Sequence, residues 1–329
     1  MYLIFLLIIN IIAVLAFLFF NKYISQKLRL IDRASNNKIL IHKHDTPNTG
    51  GVILFLFITI FYILNILNVE QYEFEIPLIF FTLFFILGLF DDYLIIKPLF
   101  KTLIYLIIIL VFLNINTNLI INNFYVETFN AILYPKSISL VFTIFCIFFM
   151  LNILNMFDGI NGSLISITLP FFIVIFLITN NSFYLFIILT LVVILIYNLK
   201  GKLFLGNNGA SLITSIISFA LIYESKNFPQ LLSAEKIFLL FSIPSFDLCR
   251  LFYIRIKKGH NPLVGDLNHF HHIVLRKYKK KFWVSMIISL ICIMYYFSLF
   301  ISTVFLILFT LFIYSLLIIF NQKKIKNNL

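Results

Sequence analysis

The sequence predicts an all-α fold, a polytopic transmembrane helix bundle of about 10–11 spans, and three observations predict it. Hydrophobic residues fill 62% of the 329 positions and charged residues 12%, where a water-soluble domain carries roughly 25% charged residues. Apolar runs close to the roughly 20 residues that cross a bilayer recur along the whole chain. Lys and Arg collect in alternate connections between those runs. An ordinary soluble fold is excluded, and the 42 Phe suit a surface that faces lipid.

The spans lie near residues 2–20, 51–68, 77–90, 102–121, 137–154, 163–179, 183–199, 209–223, 236–250, 283–299 and 302–320. The first has neither the charged start nor the small-residue cleavage site of a signal peptide, so it reads as a retained span. Residues 283–320 read as two helices, because about 38 residues rising 1.5 Å each exceed one crossing. No internal repeat stands out, and residues 1–329 read as a single integral membrane domain. The connections at 21–50, 91–101, 155–162, 200–208 and 251–282, with the stretch after 320, hold 22 of the 25 Lys and Arg when Arg250 is included. Positive residues stay inside, so this set is expected in the cytoplasm and the N-terminus outside. Membrane topology thus accounts for the net charge of +12, and no nucleic-acid partner is expected.

The three cysteines, Cys146, Cys249 and Cys292, stand alone in apolar runs and read as packing residues. Carboxylates and imidazoles are more informative. All seven Asp and all six His lie on or beside the Lys/Arg-rich connections, whereas all six Glu lie on the other side. Charge bias does not place Asp and His. A site on one face would, and chance with compositional drift is the alternative.

Asp91 and Asp92 close an apolar helix in the stretch Gly88-Leu89-Phe90-Asp91-Asp92-Tyr93. Adjacent carboxylates near the membrane repel unless a cation shares them or one is protonated, and each is costly there. Helical neighbours diverge by about 100°, which suits two tasks, one ligating Mg2+ and one handling a proton. A helix-end pair pointing into water is the plain alternative, with Lys97 and Lys101 as partners or interfacial anchors. Asn152, Asn155, Asp158 and Asn161 recur every three residues and would form one polar stripe on a helix. They serve either a ligand, with Gly159 and Gly162 allowing close approach, or hydrogen bonds between spans. Gly206-Asn207-Asn208-Gly209 reads as a tight turn, either a plain one or one whose backbone N–H groups cradle a phosphate at the next helix start. Asp45 to Gly51 reads as a capped start of the second span or a glycine-lined wall.

Asp247 closes the ninth span, after Pro244. The loop that follows carries Arg250, Arg255, Lys257 and Lys258, then Asp266 and the cluster His269, His271 and His272. Three His invite a zinc reading. No Cys is near and basic residues surround them, so an anion such as a diphosphate is the favoured ligand. Arg276 to Lys281 reads as a topogenic, headgroup-facing patch.

In this order the segments resemble the polyprenyl-phosphate N-acetylhexosamine-1-phosphate transferase family, of the glycosyltransferase family 4 type, from about residue 42 to residue 272. Thr46-Pro47 with Gly50-Gly51 resembles its TP..GG segment, and Asp91-Asp92 with Lys101 its DD…K segment. Asn152 to Gly162 resembles N..N..DG.DG, Phe204 to Gly209 resembles FLGD.G, and Asp266 to His272 resembles DR.H.HH. Asn207 and Asn161 stand where the family has Asp, Ala210 where it often has Ser, and Leu267 where it often has Arg. The resemblance implies a cytoplasmic active site in a bacterial inner (plasma) membrane and a magnesium-dependent phosphoglycosyl transfer. A UDP-N-acetylhexosamine would give its sugar-1-phosphate to undecaprenyl phosphate, releasing UMP and starting a cell-envelope glycan such as O-antigen, lipopolysaccharide or cell-wall polymer.

Under that reading Asp91 aligns or deprotonates the acceptor phosphate. Asp92 and Asp158 hold Mg2+ (or Mn2+ in its place) or the donor, with Asn207 as a neutral metal ligand weakened by its lack of charge. Lys101, Asn152, Asn155 and Asn161 contact substrate. His269, His271 and His272 bind the diphosphate, with Arg255 and Lys257 behind them. Membrane lipid surrounds the chain, and a homodimer is a further expectation. Two rivals stand beside this: an anionic-solute transporter and a catalytically impaired membrane scaffold of the same family.

Overall fold

A computed structural model of the protein describes residues 2–32, 45–66, 77–94, 96–259, 269–275 and 280–326. The expectations for His42, His44, Glu70, Glu73, Glu75, His260, Asp266, Leu267 and Arg276 fall outside the described residues. The helices are α1 (Tyr2–Lys27), α2 (Gly50–Ile66), α3 (Leu78–Leu94), α4 (Pro98–Ile115), α5 (Ser139–Phe157), α6 (Ser163–Thr179) and α7 (Ser182–Leu199). They continue with α8 (Gly206–Asn227), α9 (Ala234–Leu240), α10 (Ser242–Lys257), α11 (Phe270–Leu275), α12 (Lys280–Phe297) and α13 (Thr303–Lys326). Two 3-10 turns, Thr117–Leu119 and Lys136–Ile138, and two small antiparallel pairs complete the described elements: β1 (Ile31–Asp32) with β2 (Thr46–Pro47), and β3 (Phe124–Val126) with β4 (Ala131–Leu133).

Ten of the eleven expected spans each fall on one helix, and residues 283–320 do divide into α12 and α13. The remaining span, 236–250, is broken into α9 and α10, which meet at 79°. Pro244 explains the break. It has no N–H to give the Leu240 carbonyl, which disfavours continuing α9 through it, whereas in the first turn of α10 that N–H is not needed. Among the described residues, four helical segments are by themselves long and apolar enough to cross a membrane, or five if the bent pair is one span. The protein is a multi-pass, all-α membrane protein.

The chain divides into two compact units, Met1–Phe112 with Phe172–Ile217 and Leu113–Phe171 with Ser218–Leu329. In the first, α7 packs on α1 and α2. Phe61 meets the rings of Phe183 and Phe186 at 5.4 and 4.9 Å, while Phe80 stacks on Phe112 at 4.2 Å between α3 and α4. In the second, α13 packs on α9, α10 and α11, and α5 packs on α10. The β3–β4 hairpin is fastened to α9 by carboxylates: Glu235 accepts from the Thr128 N–H and hydroxyl and from the Glu127 N–H at 2.8–3.0 Å. Glu127 in turn pairs with the buried Lys236 at 3.4 Å and accepts from Thr303 at 2.8 Å.

A backbone seam organises the first unit. Residues 47–51 run alongside 204–205, with Phe204 N–H donating to the Pro47 carbonyl, Gly50 N–H to Phe204 and Gly51 N–H to Leu205, at 2.8–2.9 Å. Such contact leaves no space for side chains. A Cβ on Gly51 would sit 2.2 Å from the Gly209 nitrogen, and one on Gly88 of α3 would sit 2.4 Å from the Asn207 carbonyl oxygen. Overpacking of this kind costs typically about 1–3 kcal/mol. Gly88→Ala is therefore expected to lower the thermal unfolding midpoint in detergent, and an unchanged midpoint would show that α3 and the start of α8 are not this close.

Candidate functional site

The last turn of α3 carries Asp91 and Asp92, and the two side chains diverge to different partners as helical spacing requires. Asp91 accepts from the Lys101 ammonium at 2.6 Å and from the Ile96 N–H at 2.8 Å. Both members of this ion pair are largely buried, with side chains 11% and 15% exposed. Lys101 is thus a partner of Asp91, whereas Lys97 is exposed.

Asp92 turns to α8. One oxygen accepts from Asn48 Nδ2 and the Asn207 N–H at 3.0 Å each. The other accepts from the Asn208 N–H at 3.0 Å and from Asn208 Nδ2. The first N–H groups of a helix have no partner within it and carry the positive end of its dipole. Asp92 therefore caps α8 from another helix. Burial pushes its carboxyl above the ordinary range, against the N–H groups of Asn208 and Asn207, which pull it down. The Gly206–Gly209 stretch departs from the expected free turn: it is the first turn of α8, and the anion on its N–H groups is this carboxylate rather than a phosphate.

That arrangement bears on magnesium. A carboxylate has about four lone-pair positions, and at Asp92 they are met by N–H donors. Among the described residues, no three His, Cys, Asp or Glu side chains gather closely enough to hold a metal ion. As arranged, Asp92 does not itself present the open oxygen positions that Mg2+ takes.

The second unit holds the remaining candidates. Asn152 and Asn155 lie half-buried on α5, and Asn152 donates to the Phe148 carbonyl at 2.8 Å. The polar stripe does not continue as a helix. α5 stops at Phe157, and Asp158 is its C-cap. Gly162, at φ +85, lets the chain reverse into α6. Ser163 closes this turn by donating to the Phe157 and Ile160 carbonyls. Asp158 and Asn161 thus stand half-buried on a turn, a reversal that three-residue periodicity alone does not reveal.

Asp247, 2% exposed on α10, is the hub of the histidine segment. One oxygen accepts from Arg250 at 2.7 Å and from the Tyr314 hydroxyl at 2.9 Å. The other faces His269 Nδ1 at 3.2 Å and accepts from the Phe270 N–H at 3.1 Å. His269 Nε2 lies 3.5 Å from an Arg255 nitrogen. The His269 and His271 rings stack at 5.4 Å, and His271 meets the edge of Phe157 at 5.0 Å. Arg255 is buried and Lys257 exposed. The His272 side chain is outside the described residues. Sequence reasoning left Asn48, Asn208, Arg250 and Tyr314 unassigned. The two Asn lie inside quoted motifs, but a single Tyr in an apolar span carries no signal.

Fold and sites together define a polytopic helical membrane protein with buried carboxylates that gather hydrogen-bond donors from more than one helix. Residues 75–225 match the sequence model of glycosyl transferase family 4. Three curated relatives carry the name undecaprenyl-phosphate alpha-N-acetylglucosaminyl 1-phosphate transferase. That of Thermotoga maritima is 29% identical over 265 residues, 80% of this chain and 78% of its own length. That of Pasteurella multocida is 26% identical over 291 residues, 82% and 78%. That of Escherichia coli K12 is 26% identical over 146 residues, 41% of this chain and 40% of its own, so the chain matches about two fifths of that relative. Over residues 75–225 the chain is similar to the family 4 glycosyl transferases, in line with the resemblance its motifs carry.

The Asp91–Lys101 pair can be tested by stability. Removing one partner of a buried pair leaves the other charge uncompensated, at a cost of about 3–5 kcal/mol when fully buried and less with partial exposure. Lys101→Met is expected to lower the unfolding midpoint in detergent, and adding Asp91→Asn to recover most of the loss. No recovery in the double variant would show that the pair is not the source.

Proposed function

We propose that this protein transfers a sugar-1-phosphate from a UDP-N-acetylhexosamine to polyprenyl (undecaprenyl) phosphate, releasing UMP and starting a lipid-linked cell-envelope glycan. The observation that carries the reading is the alignment, over about four fifths of the chain, to relatives named for that transfer. The chemistry is consistent with it. A soluble diphosphate and a lipid with an anionic head meet only at the membrane surface. Nucleotide sugars are cytoplasmic, and the bias of Lys and Arg assigns the Asp- and His-bearing connections to that side of a bacterial inner membrane.

An oxygen of the acceptor phosphate attacks the phosphorus that carries the sugar. The bond from that phosphorus to the bridging oxygen breaks, UMP leaves, and a lipid diphosphate sugar forms. Such transfers need mainly positioning and charge stabilisation. In this reading Asp91, aligned by Lys101, positions or deprotonates the acceptor. Asp92 holds the start of α8 in place. Arg255, held by His269, and His271 contact the donor diphosphate, with Asn152, Asn155, Asp158 and Asn161 toward the sugar nucleotide. Magnesium belongs to the proposal as a companion of the donor, since Mg2+ takes substrate phosphates and waters for most of its ligands. A catalytically silent relative is the second reading, favoured by Asn207 and Asn161 standing where the family carries Asp.

Membranes containing the protein, given radiolabelled UDP-N-acetylglucosamine and polyprenyl phosphate, are expected to release UMP and pass label into lipid. Neither product, across a panel of UDP-sugars, would favour the silent relative. Asp91→Asn should abolish transfer in protein that still folds, and near-normal turnover would remove its role. Chelation by EDTA should stop UMP release and added Mg2+ restore it, with Asn207→Asp lowering the Mg2+ needed. Turnover in EDTA would take the metal out of the reading, and an unchanged Mg2+ requirement would take Asn207 out of the metal shell.

A further inference from the structure

We propose that Asp247 is the positioning residue of the histidine segment: it fixes His269 in the tautomer with its proton on Nδ1, so that Nε2 is an acceptor aimed at Arg255. The proposal rests on the functional reading above for its consequence, but on geometry for its substance. Asp247 is 2% exposed, and its two oxygens collect partners from three helices: Arg250 on its own α10, His269 and Phe270 at the start of α11, and Tyr314 on α13. A carboxylate whose oxygens are pinned in this way cannot rotate away from the imidazole.

The chemistry on the other side of the ring agrees. A guanidinium donates and never accepts, so the 3.5 Å approach of Arg255 to Nε2 is a hydrogen bond only when Nε2 carries no proton. An ionised carboxylate at Nδ1 imposes the same state, because it accepts the Nδ1 proton. Asp247, His269 and Arg255 therefore form one line from acceptor to donor. The orientation passes on to His271, whose ring lies parallel to that of His269 within 7°. Phe270, between them in sequence, is clamped by the rings of Trp283 at 5.2 Å and Tyr314 at 4.7 Å. Asp247 thus acts through His269 and Arg255 on the donor diphosphate and does not touch it.

Two measurements on the full-length protein in detergent test this. Nitrogen-15 spectra of histidine-labelled protein, with His269 assigned by its loss in His269→Gln, should show Nδ1 protonated and Nε2 bare near neutral pH. A proton on Nε2 would overturn the proposal without any assay. Asp247→Asn should raise the donor KM by about 10-fold or more with a smaller change in kcat, on the scale of losing the carboxylate behind a functional imidazole. A donor KM unchanged in folded Asp247→Asn overturns the proposal. Wild-type protein that releases no UMP from any UDP-sugar defeats the functional reading instead, and leaves the spectrum to decide the tautomer.

Discussion

Carboxylates taken out of water need donors, and in each unit of this protein one Asp meets that need by gathering helix ends around itself. Asp92 draws the first N–H groups of α8 and the Asn48 amide onto one carboxylate. Asp247 draws in Arg250, Tyr314, His269 and the Phe270 N–H. An ionised group left without partners in a low-dielectric interior costs several kcal/mol. Neither helix end can leave its Asp without exposing that cost, so the polar groups near each Asp are held where apolar packing alone would leave them loose.

Glycine makes the first of these arrangements geometrically attainable. The Asp92 carboxylate reaches the α8 N–H groups because Gly88, one turn earlier on α3, lets that helix lie against the Asn207 and Asn208 backbone. Gly51 does the same from the other side, where its Cα is 3.0 Å from a Cβ built on Gly209. The glycines and the aspartate are therefore one construction: close approach is tolerated because side chains are missing, and stabilised because the charge completes it. Asn at position 207 keeps the backbone donor that this construction uses. It changes only the side chain.

Elsewhere in the second unit the other carboxylate type is used. Glu127 and Glu235 bridge the hairpin to α9 and α13 with long, adaptable side chains. The Asp that cap and orient have short side chains and little rotamer freedom to lose. At these four residues the two carboxylate types do two kinds of work: Asp92 and Asp247 fix helix ends at short range, and Glu127 and Glu235 tie a loop at longer range.

The sequence by itself determined the membrane class, ten of the eleven spans as single helices, and the division of the last apolar stretch, because lipid demands runs of a set length and leaves a simple record. It also marked Asp91, Asp92, Asp158 and the histidines as unusual, since such groups are expensive near a bilayer. Only the tertiary structure decided their partners. That Asp92 caps α8, that Asp247 reaches Tyr314 some 67 positions later, and that the α5 stripe ends in a turn at Asp158 are long-range or backbone facts. A hydrogen bond between distant helices leaves no periodicity, and a single Tyr or Asn in an apolar run looks the same whether it faces lipid, packs in the core, or completes the shell of a buried charge.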